Sequence, residues 1–244
     1  MRAPHWLALY GAVLLCWALL VLMAVPDDLR GTARAFGGDV WAAFCTTTPD
    51  AMGYVRLWTM WALMSGAMMA PTALPAFATY DDLPDGPGKR FGALAVGYLL
   101  VWLGFATLTA GVQMGLFRVG LLSAFGDSRS DWLSAALLLL AGLYQFSSLK
   151  AACLAKCRLP LTFFLQHWDD GALRMGLRLG AICLGCCWAL MLLGFVGGVM
   201  SLGFMGLATV VMMLEKLQAG RWLTAPLGVL LIGSAFALVL GFLG

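Results

Sequence analysis

Sulfur side chains in the second half of the chain repeat at helical spacing. Cys183, Cys187 and Met191 stand at positions i, i+4 and i+8, and Cys186 lies beside them. Residues four apart share one face of a helix, about one turn from each other. Thiolates and thioethers are soft ligands that favour Cu(I), whereas hard cations favour oxygen. The spacing therefore predicts a Cu(I) site on one helix face.

A second sulfur stripe lies on an earlier helix, where Met60, Met64 and Met68 repeat the same spacing. If this helix faces the first one, the two stripes line a common site. Methionine also fills gaps in ordinary cores, and a free cysteine behaves as a small hydrophobic residue. Packing is therefore an alternative interpretation, stronger for the methionines than for the adjacent cysteines.

Two further cysteines and a histidine fall between these stripes and are candidates for a separate site. Cys153 and Cys157 are four residues apart, and His167 follows ten residues after the second cysteine. Two thiols and an imidazole can bind a metal, although the spacing is not that of a structural zinc finger. The alternative is an interfacial helix over 163–168, in which these side chains only fill an apolar face.

One carboxylate is a candidate for a proton or metal role. Glu215 is the only glutamate in the chain, and it lies in an apolar segment beside Lys216. Ionisable groups in such segments are costly and often functional. The alternative is an ion pair between Glu215 and Lys216 or Arg221.

Composition indicates the elements that position these residues. The 244 residues are 62% hydrophobic and 11% charged, whereas soluble domains carry about a quarter charged residues. A membrane-spanning helix needs about 20 apolar residues. We therefore expect one all-α transmembrane domain over 1–244 with about seven spans, at 6–25, 54–79, 91–118, 132–150, 172–196, 199–217 and 222–243.

The charges predict an orientation and exclude one class of partner. On alternate loops of that arrangement, one side carries only Arg30, Arg34, Arg56, Arg118 and Arg129 of the 15 basic residues. The positive-inside rule makes the other side cytoplasmic, with the N-terminus inside and the C-terminus outside. The basic residues are too few and too dispersed for a nucleic-acid-binding face.

Several motifs resemble a known family, the bacterial predicted metal-binding integral membrane proteins, a domain family of unknown function with CxxxCR and GCCWALM motifs. The shared residues are Trp61, Met64, Met68 to Pro71, Pro75, Tyr144-Gln145, Leu149-Lys150, Cys153-Leu154, Cys157-Arg158, Pro160, Gly185 to Met191, Gly198 to Met200 and Glu215-Lys216. The resemblance covers about 58–217. It implies a multi-pass protein of the bacterial cytoplasmic membrane that binds metal and associates with a protein partner.

These observations leave three functional hypotheses. The first is Cu(I) handling, with capture at the Cys153 and Cys157 segment and transfer to the Cys183 stripe. The second is a thiol redox enzyme that exchanges electrons between vicinal cysteines and a quinone or partner thiol. The third is a non-catalytic subunit of a larger membrane complex. Enzymatic activity is left open, and no catalytic residue is assigned.

Overall fold

The chain folds into an all-α bundle, as composition predicts. The computed structural model describes residues 4–24, 47–84, 89–217 and 220–243, so that Arg30 and Arg34 lie outside the described ranges. The helices are α1 (Pro4–Met23), α2 (Ala51–Asp82), α3 (Phe91–Arg118), α4 (Asp131–Tyr144), α5 (Ser148–Arg158), α6 (Pro160–Gln166), α7 (Ala172–Leu192), α8 (Gly194–Gly197), α9 (Leu202–Leu217) and α10 (Thr224–Leu243). A 3-10 turn over Trp168–Asp170 joins α6 to α7.

Four stretches of the described chain are long and apolar enough to cross a membrane, namely α1, α3, α7 with α8, and α10. The bent pair α4 and α5 can supply a fifth span. The prediction of seven spans is therefore wrong. Helix α9 has only 16 residues, and α2, although 32 residues long, is less apolar because it contains hydroxyl side chains and two prolines. The chain remains a multi-pass membrane protein.

The bend between α4 and α5 decides where the loop cysteines lie. The side chain of Ser147 accepts a hydrogen bond from the backbone N–H of Lys150 and caps the start of α5, as serine commonly does at a helix N-terminus. The two helices meet at 60°. The segment 151–170, expected as a loop, is therefore mostly helical, and α5 packs along α7 with Cys153 and Cys157 on it.

Glycines bring α3 and α7 into close parallel contact. A methyl group at Gly176 would lie 2.1 Å from the carbonyl oxygen of Leu94, and one at Gly97 would lie 2.3 Å from that of Leu173. Small residues of this kind let membrane helices approach closely. Further along the same interface, the hydroxyl group of Tyr98 reaches Cys183.

Helix α2 runs antiparallel to α7. Thr72 approaches Cys183 at 4.0 Å, and the rings of Trp61 and Phe195 lie 5.5 Å apart near the opposite end. Residue numbers therefore rise along one helix as they fall along the other, and both contacts fit the same antiparallel register. That register places Met68 level with Cys187 and Met64 level with Met191.

Candidate metal centre

Three thiols of α7 meet in the core of the bundle. The sulfur atoms of Cys183, Cys186 and Cys187 lie within 4.8 Å of one another, and they are the group of three possible metal ligands found in the described part of the chain. The sulfurs of Cys186 and Cys187 are 3.2 Å apart. All three residues are at most 2% exposed. Cys183 and Cys187 therefore point into the bundle.

Cys183 has polar neighbours from three other helices. Its sulfur lies 3.1 Å from the hydroxyl oxygen of Tyr98 on α3 and accepts a hydrogen bond from Lys216 Nζ on α9 at 3.0 Å. Lys216 also donates to the Thr72 hydroxyl on α2 at 2.6 Å, and Tyr98 donates to the carbonyl oxygen of Met69 at 2.8 Å. Four helices therefore fix the position of this thiol.

Glu215 does not reach this cluster. Its carboxylate binds Lys150 Nζ at 2.8 Å, and both side chains are 1% exposed. The alternative of an ion pair between Glu215 and Lys216 or Arg221 is therefore wrong in its partner, since the carboxylate pairs with Lys150. Adjacent residues on a helix point about 100° apart, so Lys216 faces the thiols while Glu215 faces α5. Arg221 instead lies over the ring of Phe146.

A cleft joins the surface to the thiol cluster. It has a volume of about 190 Å³. Exposed Leu217 and half-buried Cys157 line it together with buried Cys183 and Lys216. A ligand that enters the cleft meets Cys157 on its way to the buried sulfurs.

Cys153 and His167, which the sequence analysis grouped with Cys157 in one candidate metal site, lie elsewhere. The sulfur of Cys153 rests against the backbone of Gly185, where an added methyl group would be 2.6 Å away. The Nδ1 atom of His167 is hydrogen-bonded to the carbonyl oxygen of Phe163 at 2.8 Å, and the two rings stack. Within the described ranges, Cys153, Cys157 and His167 do not converge as a three-ligand group.

The methionines of the two predicted stripes are all buried in the same core. Met60, Met64, Met68 and Met191 are at most 2% exposed. By the register of α2 and α7, Met68 and Met64 lie beyond Thr72 at successive turns, each about 6 Å further from Cys183 along the helix.

Sequence patterns did not single out three polar residues of this site, although each carried a signal. Thr72 continues the stripe of Met60, Met64 and Met68 by one more step of four. Lys216 is a basic residue inside an apolar run, and Tyr98 follows a glycine that marks a close helix contact. None of these signals identifies a partner helix without the fold.

Fold and site together define a multi-pass helical membrane protein with a buried thiol cluster at the end of a cleft. A comparison with protein families matches residues 58–238 to PpoB2, described as a copper chaperone. The match covers most of the chain, so the protein belongs to this copper chaperone family. The region of resemblance at 58–217 lies within the matched residues. Comparison with curated proteins gave no match, and comparison with solved structures gave none either.

Proposed function

We propose that the protein carries Cu(I) as its cargo, which it takes up through the cleft at Cys157, holds at Cys183, Cys186 and Cys187, and passes to a protein partner. The observation that carries this proposal is the convergence of three buried sulfurs at the end of a cleft lined by a fourth cysteine. Membership of a copper chaperone family supports the choice of metal. We place this activity in the bacterial cytoplasmic membrane.

The donor set favours a soft monovalent ion. Thiolates suit Cu(I), zinc and iron–sulfur clusters, but zinc in structural sites takes four ligands in a tetrahedron. Here three sulfurs are close together, and the polar atoms nearest to Cys183 are two hydroxyl groups and one ammonium group. The hydroxyl groups are hard, neutral donors, and the ammonium group has no lone pair to offer.

Transfer can proceed by exchange of thiolate ligands. Cu(I) bound to Cys157 gains a bond to Cys186, which loses its thiol proton, and the bond to Cys157 then breaks as that sulfur regains a proton. Copper remains Cu(I) throughout, so that no electron donor or acceptor is needed. Cys157 and Cys183 line the same cleft, and the sulfurs of Cys183 and Cys186 lie within 4.8 Å of each other, which supports this step. Met68 and Met64 extend the route beyond Cys187.

Copper retention by purified protein tests the proposal. The protein is loaded with Cu(I) under anaerobic, reducing conditions in detergent, and excess copper is removed with a weak chelator. The double variant C183S/C187S keeps the side-chain volumes but replaces soft donors with hard ones, so its copper content should fall sharply. The matched control is C16S, which alters a half-buried cysteine on α1. Equal copper in wild type and the double variant would falsify the proposed site.

A second candidate function follows from the 3.2 Å separation of the Cys186 and Cys187 sulfurs. In a thiol redox enzyme, two thiols lose two protons and two electrons to an acceptor such as a quinone and form a disulfide. Thiol counting before and after exposure to a soluble quinone separates the two functions. We expect the thiol count to remain constant, and a loss of two thiols per chain would favour the redox enzyme.

A further inference from the structure

Lys216 is a buried cation without a carboxylate partner in the part of the chain that the structure describes. Its Nζ atom donates to Thr72 Oγ1 and Cys183 Sγ, and the side chain is nearly inaccessible at 8% exposure. The neighbouring carboxylate of Glu215 is held by Lys150. An ion in a low-dielectric interior is costly unless an opposite charge accompanies it. The thiol cluster is the place where that opposite charge can form.

We propose that Lys216 selects the charge of the cargo: the site accepts a monovalent metal ion held by two thiolates, and the ammonium group neutralises the resulting complex. This inference rests on the proposed function, because it takes the Cys183 cluster to be the metal site. It adds a residue that determines specificity without itself binding the metal.

The charge balance gives this selection its physical basis. The thiol of Cys186 donates its proton to the carbonyl oxygen of Cys183, so we take Cys186 to stay a neutral thiol beside the bound ion. When Cu(I) or Ag(I) then binds Cys183 and Cys187 as thiolates, two thiol protons are released and the complex carries a single negative charge. Lys216 then makes the buried assembly neutral. Hg(II) also forms a linear complex with two thiolates, but that complex is neutral and leaves the ammonium uncompensated. The two kinds of ion use similar ligands and differ by one unit of charge.

Other groups around the cluster cannot replace Lys216 in this role. Tyr98 and Thr72 offer neutral hydroxyl groups. Arg158 donates instead to the backbone oxygens of Glu215 and Gly220. Among the described residues, Lys216 is the cation in hydrogen-bond contact with a sulfur of the site, so its removal should weaken the binding of monovalent ions relative to divalent ions.

The experiment compares Ag(I), a redox-stable substitute for Cu(I), with Hg(II). Affinities are measured in detergent by competition with a small dithiol for wild type, K216M and K216R. A charge near 4 Å still interacts strongly at an effective dielectric constant of about 20, so the ratio of Ag(I) to Hg(II) affinity should fall at least about ten-fold in K216M. K216R keeps the cation and should restore most of the ratio.

The matched control is K156M, which removes an exposed lysine from α5, outside the cleft that contains the thiols. Its ratio should equal that of wild type. If K216M does not fold, K216Q replaces it, because glutamine can still hydrogen-bond to Thr72 while it lacks the charge. An unchanged ratio in a folded neutral variant overturns the selection by charge while leaving copper binding intact. Failure of the wild type to bind Ag(I) overturns the proposed function as well.

Discussion

The three clustered thiols are chemically unequal. Cys183 lies within hydrogen-bond distance of Tyr98 and Lys216, whereas the thiol of Cys186 donates to the carbonyl oxygen of Cys183. A negatively charged sulfur is stabilised by donors directed at it. Cys183 is therefore the position at which metal–thiolate charge is best accommodated.

Replacement of Tyr98 by phenylalanine should weaken metal binding without unfolding the protein. The Y98F variant loses the hydroxyl group that lies 3.1 Å from Cys183 Sγ and donates to the carbonyl oxygen of Met69, and it keeps the ring in the core. A hydrogen bond contributes about 1 kcal/mol, so the dissociation constant for Cu(I) should rise about five-fold. Chelator competition measures it. The matched control is Y54F, whose hydroxyl group bonds to Thr107 near the surface, and an identical constant for Y98F and wild type would contradict the prediction.

Removal of the cleft thiol should change the rate of uptake more than the final copper content. The C157S variant keeps the three buried sulfurs but lacks the half-buried thiol that incoming metal meets first. We expect stopped-flow uptake from a Cu(I)–chelator complex to slow at least about ten-fold, since direct ligand exchange is lost, with similar copper bound at equilibrium. Uptake at the wild-type rate would show that Cys157 is not on the route.

At the scale of single residues, the sequence identified the cluster but not its polar surroundings. The four-residue spacing of Cys183 and Cys187 was sufficient because both belong to one helix. Tyr98, Thr72 and Lys216 come from three other helices, and their convergence depends on helix rotation and register that no local pattern specifies.

Among the elements, α5 has the largest influence on the site, because it carries Cys157 and packs on α7. The contact depends on a glycine: a methyl group at Gly185 would lie 2.6 Å from the sulfur of Cys153. The G185A variant should therefore lose about 1–3 kcal/mol of stability through overpacking. Thermal unfolding in detergent measures the loss.

A double variant provides the control for this contact. Replacement of Cys153 by alanine removes the clashing sulfur, so G185A/C153A should recover most of the stability that G185A loses. Gly104 on α3 has open space around it, and G104A should be neutral or slightly stabilising because alanine favours helix. Additive losses in the double variant would show that α5 does not meet α7 at this position.

The ion pair between α5 and α9 holds these helices together beside the site. In the E215Q variant the buried ammonium of Lys150 has no counter-charge, and such losses cost about 3–5 kcal/mol. The unfolding temperature should fall markedly. In K150M/E215Q both charges are absent, and most of that loss should be recovered. If E215Q unfolds at the same temperature as wild type, the ion pair between Lys150 and Glu215 does not stabilise the fold.

For the molecule as a whole, composition predicted a helical membrane bundle but not its number of spans. The predicted span at 91–118 coincides with α3. The predicted span at 132–150 ends early because Ser147 starts a new helix at an angle. Helices α2 and α9 contribute Thr72 and Lys216 to the site. Helix α2 is too polar, and helix α9 too short, to be counted as a membrane-spanning helix.

The distribution of charge over the folded bundle predicts which side of the membrane the cleft faces. Parallel packing brings the starts of α3 and α7 to one end, where the basic residues are Lys89, Arg90, Lys156, Arg158, Arg174 and Arg178. The opposite end carries Arg56, Arg118 and Arg129, and Arg118 there binds the carbonyl oxygen of Pro49. The positive-inside rule therefore predicts that the first end, with the cleft, faces the cytoplasm.

Thiol labelling in intact cells tests this orientation. A membrane-impermeant maleimide should spare Cys157 and Cys153 in intact cells and label the half-buried Cys157 once the membrane is permeabilised. An R129C variant places an exposed thiol at the opposite end of α3 and should be labelled without permeabilisation, which shows that the reagent reaches the outer face. Reaction of Cys157 from outside would reverse the orientation and would mean that copper enters the cleft from outside the cell, with the cytoplasm as the side of delivery.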